Sequence, residues 1–143
     1  MIQEAAKSEC GILAAIHAEC FPRGWSGMEF AALIAQPGVF ALKWGDASLT
    51  GFILVRCVAD EAEILTLAVD PASRGNGLGR ALVKQAEAES LSRGCTRFFL
   101  EVSDQNAPAI ALYEQLGFEP SGRRANYYSD GSDARIMEKA LPR

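Results

Sequence analysis

Three places in this sequence carry residue types whose spacing could do chemistry. The first is a run in which an apolar segment ending at Val69 passes through Asp70, Pro71, Ala72, Ser73 and Arg74 into Gly75-Asn76-Gly77-Leu78-Gly79-Arg80, then into a helical pattern. Glycines at 75, 77 and 79 remove the Cβ atoms that would hold a ligand away from the backbone. Successive N–H groups can then converge on one point while the helix start adds its dipole, which suits a phosphate and best a pyrophosphate. A P-loop needs Lys-Ser/Thr after its last glycine, and here Arg80-Ala81 follows; the dinucleotide fingerprint needs Gly-x-Gly-x-x-Gly, and the spacing here is Gly75-x-Gly77-x-Gly79. The alternative is a tight strand-to-helix connection with a helix cap. The second place is Glu101, a carboxylate inside an apolar strand pattern, which is either a partly buried charge paired with an arginine or a general base raised by apolar surroundings. The third is Tyr113, seven residues past Asn106 and therefore on nearly the same helical face, either following one ligand or packed on the core beside Leu112 and Leu116.

The elements that must position these groups can be read from periodicity. Ile12, Leu13, Ile16 and Cys20, then Phe30, Leu33 and Ile34, recur at helical spacing, predicting two short helices separated by the turn-rich residues 21–26, with Ser26 as a cap. Residues 39–44 and 48–57 read as a hairpin around Gly45-Asp46, and residues 63–69 as the next strand. After the glycine turn, Leu78, Ala81, Leu82 and Ala86 form the apolar stripe of a helix that stops at Gly94. Residues 97–102 read as a strand whose alternation puts Glu101 with Phe99 and Ser103, opposite Phe98, Leu100 and Val102. Residues 106–116 form a helix with Pro108 in its first turn and Gly117 beyond its end, and strands over residues 125–129 and 134–140 close a mixed α/β fold.

Length suits one domain over residues 1–143. A net charge of −4 without a basic patch argues against nucleic acid and is compatible with a positively charged acceptor such as an amine or basic peptide. Cys10, Cys20, Cys57 and Cys95 lie far apart, and with His17 as the only histidine they form no zinc pattern, so no metal is expected and the thiols read as reduced and mostly buried in a cytoplasmic protein. No membrane span or secretion signal is expected, and the oligomeric state is left open.

Arg74-x-x-Gly77-x-Gly79 resembles the Arg/Gln-x-x-Gly-x-Gly/Ala signature with which GNAT acyltransferases hold the pyrophosphate of coenzyme A. The resemblance continues through Leu100-Glu101-Val102, Asn106-x-x-Ala109-x-x-Leu112-Tyr113-Glu114-x-Leu116-Gly117-Phe118, Tyr127-Tyr128 and Asp133-Ala134-x-x-Met137. Residues 60–69 look like the strand before that turn in ribosomal-protein alanine N-acetyltransferases of the RimI type. About four-fifths of the chain is covered.

The resemblance implies a GNAT fold, a mostly antiparallel sheet whose central strands splay apart, with acetyl-CoA as cosubstrate. By resemblance, free backbone groups of Leu67, Ala68 and Val69 bond the pantetheine arm and thioester oxygen, Arg74, Gly75, Asn76, Gly77, Leu78, Gly79 and Arg80 hold the pyrophosphate, and Asn106 bonds the arm. Glu101 matches the family's proposed base, and Tyr113 the acid that protonates the departing thiolate. Trp25, Tyr127 and Tyr128 correspond to regions bordering the peptide groove, although Trp25 and the tyrosines read equally well as core or rim aromatics. Family members commonly carry Pro-Trp-Ser where this chain has Gly24-Trp25-Ser26, which implies a more flexible loop. The implied acceptor is a protein N-terminal α-amine, above all the alanine of a ribosomal protein. Such an amine, with pKa ~8, is roughly a quarter neutral near pH 7.5, whereas a lysine at ~10.4 is only about 0.1 per cent neutral. A small-molecule amine or a lysine is the alternative acceptor, and a CoA-binding module without turnover is the alternative class.

Overall fold

A computed structural model describes residues 1–45 and 49–141. Seven strands form one sheet in the order β1-β2-β3-β4-β5-β7-β6: β1 Ile2–Glu4, β2 Val39–Trp44, β3 Gly51–Val58, β4 Glu61–Val69, β5 Arg97–Ser103, β6 Glu119–Arg124 and β7 Ala134–Ala140. Every pairing is antiparallel except β4 with β5. Helices α1 Cys10–Cys20 and α2 Gly27–Ile34 cover one face, and α3 Leu78–Ser92 and α4 Ala107–Gln115 the other. Leu82, Val83, Ala86 and Ile110 pack with Ile53, Ile64, Phe98 and Leu100 on the second face; Leu13, Ile16 and Phe30 pack with Phe52, Leu54 and Ala68 on the first.

The parallel β4–β5 pairing is short. It runs from Glu61↔Arg97 to Ile64↔Leu100 and stops, although β4 continues to Val69 and β5 to Ser103. The strands therefore fork, as the resemblance implied. At the fork β4 carries a β-bulge: Val55 pairs with Ile64 and Leu54 with Thr66, leaving Leu65 extra. An extra residue reverses the alternation. Before it, Ala62 and Ile64 face the α3–α4 side; after it, Leu67 takes that side and Ala68 faces α1 and α2.

Local signals were read correctly where short-range chemistry sets the conformation. Ser26 caps α2 in a reciprocal capping box with Glu29, and Gly94 and Gly117 have φ of 89° and 95° just past helix ends; Asn106, expected as the first residue of a helix, is instead the cap that precedes α4. The strand expected at residues 125–129 is a loop, and the edge strand is β6 instead. Its Pro120 and Gly122 flank a register shift, and all six residues are exposed, so it lacks the alternation that marks a half-buried strand. Ile12, expected on the buried stripe, is 49% exposed, its place being taken by Cys10 and His17. β3 begins at Gly51; Asp46 and Ser48 of the expected hairpin lie outside the described residues. Among the described residues no helix is long and apolar enough to cross a membrane.

Candidate active site

The fork opens onto a cleft of about 650 Å³. One wall is the free end of β4, Leu67, Ala68 and Val69; the other is Ser103 at the end of β5 with Gln105, Asn106, Pro108, Ala109, Leu112 and Gln115 of the α4 region. Its floor is the glycine turn and the start of α3, including Arg74, Gly75, Gly77, Leu78, Gly79 and Arg80. All the residues expected to hold a cosubstrate line this cleft except Asn76, whose side chain bonds back to the Ser73 carbonyl at 3.2 Å and ties the turn together.

The turn is built in two steps. Asp70 Oδ1 accepts the Ala72 N–H at 3.1 Å and Pro71 starts a 3₁₀ turn through Ser73. Gly75 and Gly77 then take φ of 86° and 76°, the left-handed region that costs other residues ~1–2 kcal/mol. A Cβ at either would meet nothing within 4 Å, so conformation requires glycine there and the space above stays open. Gly79 differs: its Cβ would stand 3.4 Å from Leu112 Cδ2, so it serves the approach of α3 to α4. α2 and α4 are capped by side chains, but no side chain caps α3, leaving the N–H groups of its first turn to whatever enters the cleft.

The charges agree. Arg23, Arg56, Arg93, Arg97, Arg123 and Arg124 all pair with carboxylates; among the described residues Arg74, Arg80 and Arg135 do not, and of these three Arg74 and Arg80 line the cleft. Arg74 donates from Nε to the Val69 carbonyl at 3.2 Å and from Nη2 to Cys20 Sγ at 3.3 Å, and Arg80 bonds Gln115 Oε1 at 2.7 Å. Two cations with only neutral partners beside uncapped N–H groups make an anion site. Cys20 Sγ also reaches the Val69 carbonyl, at 3.4 Å, so the end of α1 supports the end of β4. Cys20, Phe21 and Gln115 were not anticipated from sequence, since each reaches the cleft through a long-range contact. Asn106 Oδ1 is committed to the α4 cap, accepting from Ala109 N–H at 3.3 Å, which leaves its amide NH₂ to donate.

Glu101 is the first residue of β5 beyond the last β4–β5 pair. Its strand alternates as read from sequence, with Phe98, Leu100 and Val102 buried on the opposite face. The apolar surroundings considered for it are not found: Arg124 Nε lies 3.0 Å from Glu101 Oε1. Tyr113 does not share a face with Asn106 at the cleft. Asn106 has φ −93° and ψ 72°, outside the helix, so counting two turns from it fails; Tyr113 lies in the core against Phe118, ring centroids 5.5 Å apart. Burial, and then Tyr128, raise the Tyr113 hydroxyl far above the ordinary tyrosine value. The Tyr128 hydroxyl is pushed up to about 12 by burial and then by the charges of Glu101, Tyr127 and Asp130. Glu101, Tyr128 and Tyr113 thus lie within electrostatic reach in series. Tyr127 and Tyr128 meet edge to face at 5.1 Å on the 125–133 loop, which is pinned by the Ser103–Ser132 hydroxyl bond of 2.9 Å and by Arg123 between Asp104 and Asp133.

Trp25 is not at the cleft. It stacks on His17 at 4.7 Å and its backbone N–H donates to His17 Nδ1 at 3.1 Å. Gly24 is no source of flexibility either: a Cβ there would stand 2.8 Å from Ala18 Cα, so the glycine lets the loop lie against α1. Four free cysteines are present, Cys10 and Cys95 buried and Cys20 and Cys57 partly exposed, and among the described residues no group of three or more ligand-type side chains is gathered for a metal ion.

The acetyltransferase (GNAT) family profile matches residues 10–118, a span that contains the forked strands, the glycine turn and every residue lining the cleft. The chain belongs to the acetyltransferase (GNAT) family. It is 41% identical over 128 residues to the [ribosomal protein bS18]-alanine N-acetyltransferase of Escherichia coli K12, covering 87% of this chain and 84% of that protein. The crystal structure of the ribosomal-protein-S18-alanine N-acetyltransferase from Escherichia coli superimposes with a TM-score of 0.91 at 33% identity, over 100% of this chain and 94% of that one. Ard1 from Thermoplasma volcanium also gives 0.91, at 25% identity, over 100% of this chain and 98% of that one.

Proposed function

We propose that residues 1–143 act as one domain that transfers an acetyl group from acetyl-CoA to a protein N-terminal α-amine in the cytoplasm, with the N-terminal alanine of ribosomal protein bS18 as the foremost acceptor. The observation that carries this reading is the fork: the strands part just where β4 offers unpaired backbone groups on one arm and β5 offers Glu101 on the other. The similarity to the Escherichia coli bS18 enzyme supports the choice of acceptor.

The cleft fits acetyl-CoA. Arg74, Arg80, Gly75, Gly77 and the first N–H groups of α3 suit its phosphates, and Leu67, Val69 and Asn106 suit the amide-rich arm. When bound it supplies an acetyl group activated as a thioester, whose transfer forms an amide C–N bond, breaks the C–S bond and leaves a thiol and one proton. Glu101 takes a proton from the acceptor's ammonium, exposing the nitrogen lone pair. Tyr113 is the group that the family resemblance assigns to protonate sulfur; its ring packs in the core next in the chain to the cleft residue Leu112, and burial makes its donation less favourable than an ordinary tyrosine's. The second ammonium proton, released from nitrogen as the C–N bond forms, restores the hydroxyl.

The test is CoA release measured against short peptides with different first residues, beside free amines and N-terminally blocked peptides containing lysine. Acetyl located by mass spectrometry on the first residue, with alanine preferred, is the expected result. Acetyl mainly on internal lysines or on small amines would move the assignment to the alternative acceptors.

A further inference from the structure

Arg124 differs from its neighbour Arg123. Arg123 is held by two carboxylates, Asp104 at 3.1 Å and Asp133 at 2.7 Å. Among the described residues Arg124 pairs only with Glu101, at 3.0 Å, and the two halves of that pair are unlike: the Arg124 side chain is 56% exposed and the Glu101 side chain 18%. Arg124 is the last residue of β6, an edge strand with every residue exposed. It is in register with Ala134 of β7, which is in register with Ser103 of β5, so its arm crosses β7 and runs diagonally back to Glu101, a span of about 12 Å between backbones at ordinary strand spacing and rise. Ala134, fully buried beneath this path, offers only a methyl group to it. While paired with Glu101 the same guanidinium already lies 5.5 Å from the centre of the half-exposed Tyr127 ring, a contact that release of Glu101 need not break.

On the reading that Glu101 receives the acceptor amine, we infer that Arg124 is a positioning residue that occupies the Glu101 carboxylate in the resting enzyme as a stand-in for the acceptor's ammonium. The arriving ammonium displaces the guanidinium, one cation exchanging for another, and Arg124 swings toward Tyr127 and solvent. Acetylation turns the acceptor into an uncharged amide, which has no claim on the carboxylate. Once the proton taken by Glu101 has passed to water, carboxylate and guanidinium pair again and the product is left without its anchor. An exposed long side chain suits this exchange, since pairs of this kind hold by only a few-fold in equilibrium terms. Arg123, gripped from two sides, could not serve.

The test is a double-mutant cycle on Arg124→Gln and Glu101→Gln, with an alanine-first peptide and its N-acetylated form as probes. Arg124→Gln should lower the peptide KM, and its dissociation constant by calorimetry, about 3-fold, leave the KM for acetyl-CoA in place and leave binding of the acetylated peptide unaltered; Arg124→Lys should fall between. In the Glu101→Gln background the effect of Arg124→Gln on peptide binding should vanish. A rise in peptide KM, a kcat loss beyond about 5-fold at unaltered peptide KM, or a 3-fold effect that survives in the Glu101→Gln background would each overturn the inference. The binding cycle reads the exchange whether or not Glu101 is the base. Full kcat in Glu101→Gln alone would instead overturn its role as base.

Discussion

The floor of the cleft takes its conformation from consecutive residues, 70–80, whereas the group around Glu101 is gathered from β5, α4, the end of β6 and the 125–133 loop. In the first region each residue has a local duty: Asp70 caps, Pro71 starts the turn, Gly75 and Gly77 go left-handed, and α3 begins uncapped. In the second, no residue's role follows from its immediate neighbours. Glu101 is defined by where β4 leaves β5 and by an arginine 23 positions on; Tyr113 is defined by the core that surrounds it. On the proposed roles, binding is written in backbone conformation and proton transfer in tertiary placement. Damage to the two regions should separate accordingly.

The largest effect is expected from Tyr113→Phe. It deletes one hydroxyl from a buried ring, so the melting temperature should hold while kcat falls ~10²–10⁴-fold, the range of general acid contributions. Acetyl-CoA affinity measured by calorimetry should change little. Near-normal kcat with chemistry rate-limiting would return this tyrosine to a packing role and break the contrast.

The acid sensitivity of the α1–α2 side comes next. Removal from solvent lowers the His17 pKa from 6.5 to about 4, opposed by the charge of Glu29, and Nδ1 accepts from the Trp25 backbone N–H, which requires that nitrogen unprotonated. Between those values the unfolded chain binds the proton and the folded one does not. Stability is therefore complete above pH ~6.5 and is lost as pH falls toward about 4, by on the order of 3 kcal/mol. Urea midpoints at several pH values should show this decline, and His17→Gln, which keeps an acceptor without the basic nitrogen, should flatten it. An equal decline in the variant would assign the acid sensitivity elsewhere.

Gly77→Val tests the other region. A β-branched residue at φ 76° is strained and projects a side chain into open cleft, so the acetyl-CoA dissociation constant should rise at least about tenfold while circular dichroism keeps its folded signature. Unchanged affinity in a folded variant would remove the phosphate role of the turn.

What could be read from sequence follows the same division. Strands β2, β5 and β7, the Ser26 cap and the glycine turn are set by alternation or by residues within four positions of one another. The bulge at Leu65 leaves no sequence signature, because alternation resumes after it on the opposite face. β1 has three residues, too few for a period, and β6 is disguised by proline, glycine and arginines. Glu101 was legible as an anomaly, a carboxylate in an apolar run, but its partner was not, since only the order β5-β7-β6 brings Arg124 within reach. Gly24 reads as a loosened loop because, although the helix before it is legible, the return of the loop onto Ala18 of that helix leaves no mark in the sequence.

The smallest effect sharpens the comparison from the α1–α2 side, the one part of it that is locally coded. Ser26 Oγ accepts the Glu29 N–H at 3.1 Å and Glu29 Oε1 accepts the Ser26 N–H at 3.1 Å, and the eight-residue α2 that they start carries the fully buried Phe30. Phe30 contacts both His17 and Trp25 edge-on or tilted, so this cap also fixes the aromatic stack under the loop. Ser26→Ala removes one half of the box and should cost about 1 kcal/mol in denaturant melts. Because neither Ser26 nor Trp25 lines the cleft, acetyl-CoA affinity should stay level. If acceptor KM rises while acetyl-CoA affinity and kcat hold, the stack positions the acceptor from behind and Trp25 acts without contact to the cleft. If stability alone changes, the α1–α2 side is scaffold, and acceptor choice is confined to the 125–133 loop and Arg124.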